Sequence, residues 1–362
     1  MARSKEMDLT TGNPFRSLLK FAIPVILGNL FQLFYTLADS VIVGKTLGAD
    51  SLAAVGSTSI IIYFVFCFIN GFTGGFGICL GQKCGAKDEK GMRKSVAVSA
   101  LLSIAFTVVL TLICCLLSHQ ILRWMQIPAD ISDEAYDYMF VVLLGTGATV
   151  FYNMISNMLR ALGDSKTPLY FLVFSSVLNI FFDILFIVPF HMGVAGAAWA
   201  TILSQAVSSI WVLKFLFSEK SFLRIKPKYF KLSARVVLPC LALGLSPFIM
   251  QFTESVISVC FNTSLLKYGG DIAVGAMTIL TSVMQFSMLP LQGLTQGAQP
   301  IISFNYGAGN ADRVKKAFKL LLVSCLVYST ALWAIAIFLP QVFIGIFTND
   351  AQLMVFSEKA MR

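Results

Sequence analysis

Charge is scarce in this sequence. Only 12% of its 362 residues are Asp, Glu, Lys or Arg, about half the share of an ordinary soluble domain, which excludes a chain that wraps one core in a charged surface. Histidine is nearly missing: His119 and His191 stand alone, there is no HExxH, and a zinc site is therefore not expected. The eight cysteines form no CxxC pair, and most lie inside apolar runs, so they read as small apolar filler. The glycine-rich pieces Gly71–Gly77 and Gly193–Gly196 lack the P-loop pattern and suit close helix packing instead. No apolar span carries a His/Cys/Ser constellation fit for nucleophilic or metal chemistry, so the chain is not expected to be an enzyme or to need a cofactor. No cleavable signal peptide is expected, because the first apolar segment is too long and lacks a small-residue cleavage site.

What the chain has is apolar length. Hydrophobic residues make up 57% of it, and its mean hydropathy is +0.80. Apolar spans fall at about 17–43, 52–80, 95–122, 136–162, 168–190, 193–217, 237–266, 272–302 and 314–339, and a tenth begins after 350. About 20 apolar residues cross a bilayer, and lipid leaves helices as the only way to satisfy the backbone here. The expected fold class is an all-α polytopic membrane protein. With the N-terminus inside, 22 of the 27 Lys and Arg face the cytoplasm, Lys45, Arg123 and Lys267 face outward, and Lys359 and Arg362 follow the ninth span. That asymmetry predicts a multi-pass protein of the cell membrane with a cytoplasmic N-terminus. It also accounts for the net charge of +9 without a nucleic-acid partner.

The first span repeats later. Pro24 stands fifteen residues before Asp39, Pro239 stands fifteen before Glu254, and each acid is followed by Ser-Val. Gly85-Ala86 matches Gly307-Ala308, and Lys94 matches Lys316, at an offset of 222; Gly48 and Asp50 match Gly269 and Asp271 at 221. Six spans, an even number, separate the copies, so both run the same way across the membrane, as parallel repeats related by an axis along its normal. The expected domains are an N-terminal six-helix bundle at 1–217, a basic cytoplasmic linker at 218–236 and a C-terminal bundle at 237–362. The second copy has only three full spans, so that bundle is read as incomplete after about helix nine or ten, and 362 residues alone are not expected to be active.

Of the eighteen acidic residues, only Asp39, Asp183 and Glu254 lie away from span ends and loops. A central acid costs roughly 2.5–3.5 kcal/mol on insertion scales, which argues for ion binding, proton carriage or a cationic substrate. Asn179 and Asp183 share one helical face on the fifth span, and Thr201 on the sixth adds a hydroxyl; these oxygens suit sodium, and an acid alone suits a proton. Gln32, Thr36 and Asp39 share a face of the first span, and Tyr35 stands among them. Asn153 and Asn157 form a polar face on the fourth span, read either as substrate contacts or as interhelical hydrogen bonds. Gln251 joins Glu254 on the seventh span, and Gln285 is isolated on the eighth. With Gln32 and Tyr35, these amides are the candidate substrate contacts. The chain also holds 32 Phe, 14 Met and 10 Tyr, some of which could line an adaptable cavity.

At this point the chain resembles the multidrug and toxic compound extrusion (MATE) family, in its bacterial DinF-like or MepA-like branch. The carriers are Pro24 with Asp39, Arg160-Ala-Leu-Gly-Asp-Ser-Lys-Thr-Pro168, Gly193-Val-Ala-Gly-Ala-Ala-Trp-Ala-Thr201, Gln296-Gly-Ala-Gln-Pro300 and Asn305-Tyr-Gly-Ala-Gly-Asn310. The resemblance implies two six-helix bundles and an antiporter that exports organic, often cationic, compounds against protons or sodium. It implies a cation site at Asp39, Asn179, Asp183 and Thr201, which would be the metal ligands if sodium is the coupling ion. One branch also uses an acid on helix seven, which Glu254 matches, and pairs it with an acid on helix ten, a region this chain lacks. The implied partners are small organic cations and membrane lipid, with the protein a monomer. The expected mechanism is alternating access, in which cation entry neutralises Asp39 and Asp183 and helix one bends at Pro24. A rival reading is a lipid-linked oligosaccharide flippase of related fold, which would be expected to hold cations in its cavity for a pyrophosphate. The mid-span acids here speak against it. A passive channel is the other rival, and unequal acids in the two repeats fit it poorly.

Overall fold

In a computed structural model, the described residues are 9–125, 127–217, 234–345 and 351–361. Among them the elements are α-helices: α1 (Pro14–Thr46), α2 (Ala49–Gly85), α3 (Glu89–Trp124), α4 (Ala129–Leu144), α5 (Thr146–Ala161), α6 (Lys166–Ile187), α7 (Gly193–Phe217), α8 (Ala234–Gly307), α9 (Ala311–Phe338), α10 (Pro340–Ile344) and α11 (Ala351–Met361). Seven are long and apolar enough to cross a membrane by length and composition, or eight if the bent pair α4–α5 is one span. The basic linker expected at 218–236 falls, as far as residue 233, outside the described residues, as do the side chains of the repeat pair Gly269 and Asp271.

Local chemistry sets several helix ends. The Asn13 side chain caps α1 by accepting from the Phe15 N–H at 2.9 Å, and Asp88 caps α3 by accepting from the Gly91 N–H at 2.9 Å, each satisfying a donor that the first helical turn leaves open. α1 continues through Pro24, whose ring removes one backbone donor from mid-helix. The fourth span, expected as one helix over 136–162, is broken: α4 and α5 meet at 45°. The break falls at Gly145, where any side chain would run into Ile202 of α7. The Thr146 hydroxyl recaptures the Leu143 carbonyl at 2.6 Å, so the bend leaves that buried acceptor satisfied.

The 74 helical residues of α8 would run about 110 Å if straight, far beyond a hydrocarbon core of about 30 Å. They double back. Phe252 meets Phe64 at 4.8 Å between ring centroids, and Phe248 meets Phe68 at 5.4 Å; a Cβ on Gly75 would stand 2.6 Å from the Cys240 carbonyl. This stretch therefore runs antiparallel to α2. Further on, Gln299 Nε2 donates to the Gly74 carbonyl at 3.5 Å, Ser303 lies against Gly81 and Phe304 against Gly85, so this stretch runs parallel to α2. The chain reverses between residues 252 and 299, and α8 thus supplies the seventh and eighth spans read from the sequence.

The repeat reappears as contact symmetry. A side chain at Gly85 would strike the Phe304 carbonyl, and one at Gly307 would strike the Gln82 carbonyl. The shift of 222 read from the sequence carries Gln82 onto Phe304 and Gly85 onto Gly307, so these are one contact made twice about a pseudo-two-fold axis. Likewise α2 packs Gly71 and Gly75 against Gly244 of α8, while α8 packs Gly293 and Gly297 against Ile26 and Ala22 of α1. Two buried clusters tie the repeats together. One joins Phe72, Phe76, Cys79, Met154 and Met158 to Cys240; the other joins Leu18 and Phe21 to Ala298, Ile301 and Ala317. Beside the second, Arg313 donates to the carbonyls of Leu9 (3.2 Å), Thr11 (2.5 Å) and Gly12 (2.9 Å), and Asn305 Nδ2 also donates to Leu9 at 3.0 Å.

Candidate functional site

α6 places the most deeply buried acid. Phe171, Ser175, Asn179, Asp183 and Ile187 recur every fourth residue and are all buried, as one helical face must be when neighbouring helices cover it. α1 and α7 both pack on α6. Asp183 is 0% exposed and Asn179 is 2% exposed. Asp39 of α1 approaches Asp183 within hydrogen-bonding reach. Thr201 of α7 accepts from Asn179 Nδ2 at 3.2 Å, which turns the Asn179 carbonyl oxygen away from the hydroxyl. The structure thus brings together Asp39, Asn179, Asp183 and Thr201, four residues drawn from three helices.

Several acceptors of the group go without a donor. Asp183 Oδ1 and Oδ2, Asp39 Oδ1 and Asn179 Oδ1 are all buried without a hydrogen-bond partner among the described residues. Buried polar atoms are nearly always satisfied, and exceptions need a reason. Two adjacent carboxylates compound the cost, since like charges about 4 Å apart repel by about 4 kcal/mol at an effective dielectric of 20. A bound proton or cation would relieve both costs. Tyr35 of α1 and Tyr138 of α4 complete its surroundings, both electrostatically coupled to Asp39 and Asp183. An apolar layer of Val43, Ile187, Val194 and Ala197, with Tyr138 packed against it, covers it toward the C-terminal end of α1.

The other candidates lie elsewhere. Glu254 is exposed on α8 opposite α2, with Tyr63 and Cys67 as its electrostatic neighbours, and does not join the acid pair. Gln251 is half-buried one turn from Glu254, and Gln285 is exposed. Asn157 Nδ2 donates to Thr73 Oγ1 across to α2 at 3.1 Å, the interhelical bond that was one of its two readings, and Asn153 Nδ2 donates to the Thr149 carbonyl of its own helix at 2.9 Å. Gln32 is exposed and Tyr35 half-buried on the same length of α1. Sequence reasoning missed Tyr138. Its signal is faint, a tyrosine in a span also marked by Tyr136, and only the packing of α4 on α7, which seats Tyr138 against Val43, Ile187, Val194 and Ala197, puts it beside the acids. It also missed the pairing of Arg160 with Gln296, at 3.1 Å, although both residues stood in quoted motifs.

A helical membrane protein with parallel repeats and an acid pair inside the first repeat is the architecture of a secondary transporter. The MatE family model matches residues 24–185 and 247–362, and the chain belongs to that family of membrane transporters. It is 31% identical over 310 residues to the "Probable multidrug resistance protein YpnP" of Bacillus subtilis, covering 86% of this chain and 69% of that one. It is 23% identical over 341 residues to the multidrug export protein MepA of Staphylococcus haemolyticus, covering 94% and 75%. Among solved structures, a multidrug resistance MATE family transporter in an outward-facing conformation superposes with a TM-score of 0.91 at 25% identity, over 100% of this chain and 81% of that one. A transporter of the same superfamily from Pyrococcus furiosus, described by a reversed polarity of its binding pocket, gives 0.89 at 27% identity with the same coverage.

Proposed function

We infer that the protein exports small organic, often cationic, compounds across the cell membrane, driven by a cation that enters at Asp39 and Asp183. The observation that carries this reading is the acid pair, three of whose oxygens are buried with no donor among the described residues. A proton shared between the two carboxylates removes one charge and supplies the missing donor at once. The bundles are those read from the sequence, 1–217 and 237–362, with the basic linker and the N-terminus in the cytoplasm. Substrate occupies the space between the repeats, where Gln32, Tyr35, Gln251 and Glu254 are reachable. Uptake of the cation relaxes repulsion within the first bundle and lets α1 bend at Pro24, where a backbone hydrogen bond is already missing. The family relatives fit this picture: they are multidrug export and resistance proteins, and MATE transporters have been solved in a bent and in a straight conformation.

The buried Asn179 Oδ1 favours a second reading, in which sodium takes oxygens from Asn179, Asp183 and Asp39, with Thr201 beside them. The test is efflux of ethidium from proteoliposomes with a proton or a sodium gradient imposed separately. Efflux on a proton gradient alone supports the shared proton; a sodium requirement supports the metal reading. Asp39→Asn should abolish coupled efflux under either gradient while the protein still inserts. Full efflux by that variant would remove the acid pair from the mechanism.

A further inference from the structure

Arg160 is a cation with no carboxylate paired to it among the described residues. It lies in the last turn of α5, at the end of the molecule that carries the Lys83–Lys94 basic loop, and it is partly buried. Among the described residues its guanidinium has one hydrogen-bond partner, Gln296 Oε1 at 3.1 Å, and no carboxylate. Gln296 belongs to α8, so this bond crosses from the first repeat to the second. Arg160 lines a small polar crevice together with Gly74, Asn157, Gln296, Gln299 and Ser303 among others, and every other lining group is neutral. The same seam is closed by the symmetric contacts of Gly85 with Phe304 and Gly307 with Gln82. It also holds two thiols from opposite repeats, Cys79 of α2 and Cys240 of α8, buried and within hydrogen-bonding reach of one another.

We propose that Arg160 is the gate residue of this seam: its bond to Gln296 latches the repeats together at the basic end, and its charge, which no described carboxylate neutralises, bars cations from crossing there. The role rests on the alternating-access reading above. A transporter coupled to a cation must keep that cation from slipping through a closed gate, and a fixed guanidinium in a neutral crevice repels it directly. The bond joins a charged donor to a neutral acceptor, the stronger class of hydrogen bond, yet it is single and can be released in each cycle.

The native cysteines supply the test. In proteoliposomes, copper phenanthroline would oxidise Cys79 and Cys240 to a disulfide when the seam is shut, read by peptide mass spectrometry as joint loss of alkylation, with Cys79→Ser as the control. Oxidised wild-type protein should stop exporting ethidium and recover on reduction. Arg160→Gln should lower the rate of disulfide formation about tenfold, the change in closed-to-open ratio expected for one charge-assisted bond, and should raise passive proton entry in the absence of drug. Arg160→Lys, which keeps the charge and loses the planar fork, should lower disulfide formation while leaving proton entry near the wild-type level. Disulfide formation at the wild-type rate in Arg160→Gln would overturn the latch, and unchanged proton entry would overturn the barrier. Full export by the oxidised protein would overturn the seam as a gate. Ethidium efflux absent from the unoxidised wild type, with the disulfide pattern intact, would instead fail the export reading and leave the latch standing.

Discussion

Replacing Asp183 with Asn separates function from stability, because the two should move in opposite directions. Asp183 is 0% exposed, and both its oxygens lack a donor. In the doubly ionised pair, repulsion is of order 4 kcal/mol, the Coulomb energy of like charges in near contact at an effective dielectric of about 20. An Asn in its place removes that repulsion and brings an NH₂ group within reach of Asp39 Oδ1 and Asn179 Oδ1. A hydrogen bond to a charged acceptor adds about 1.5–3 kcal/mol, and the shape of the side chain is kept. Part of the 4 kcal/mol is already relieved in wild-type protein whenever a cation occupies the pair, so a net gain of about 2 kcal/mol is expected. That is worth a rise of several degrees in the unfolding midpoint of a chain this size. The assay is thermal unfolding of detergent-purified protein followed by size-exclusion fluorescence, alongside ethidium efflux from vesicles. The gap in midpoint should widen as pH rises, since loss of the shared proton leaves two like charges side by side only in the wild type. A variant that is less stable than wild type at high pH and still exports would refute the reasoning, for Asp183 would then be a structural acid with unseen partners.

Other substitutions test the frame around the site. Gly85→Val places a branched side chain against the Phe304 carbonyl and should hold the seam open: export falls at least tenfold while a fluorescent substrate still binds. Arg313→Ala releases the carbonyls of Leu9, Thr11 and Gly12; it should cost about 1–2 kcal/mol and speed tryptic cleavage at Arg16.

The spans themselves were legible because lipid leaves the backbone one option and the side chains one polarity. Legibility failed where two helices meet. The expected single helix over 136–162 breaks at Gly145 because Ile202 needs the space, and Ile202 belongs to a helix more than fifty residues away. The twofold reading of Asn157 could not be resolved without knowing that Thr73 stands opposite it. Glu254 looked equivalent to Asp39 by repeat position, yet it is exposed where Asp39 is half-buried, because α8 presents it to α2 and no described helix covers it as α6 covers Asp39.

The sequence alone determined that this is a membrane protein of parallel repeats, since that follows from apolar run length, Lys and Arg asymmetry and the Pro–acid spacing. It also marked Asp39, Asn179, Asp183 and Thr201 as costly or polar residues in an apolar setting, because the expense of a buried acid is a local property. Only the tertiary structure decided that Asp39 and Asp183 form a pair, that three of their oxygens are buried without a donor among the described residues, that Tyr138 stands beside them, and that Arg160 reaches Gln296 across the seam. Those are distances between helices. Spacing along one chain cannot encode how closely two helices far apart in sequence will pack.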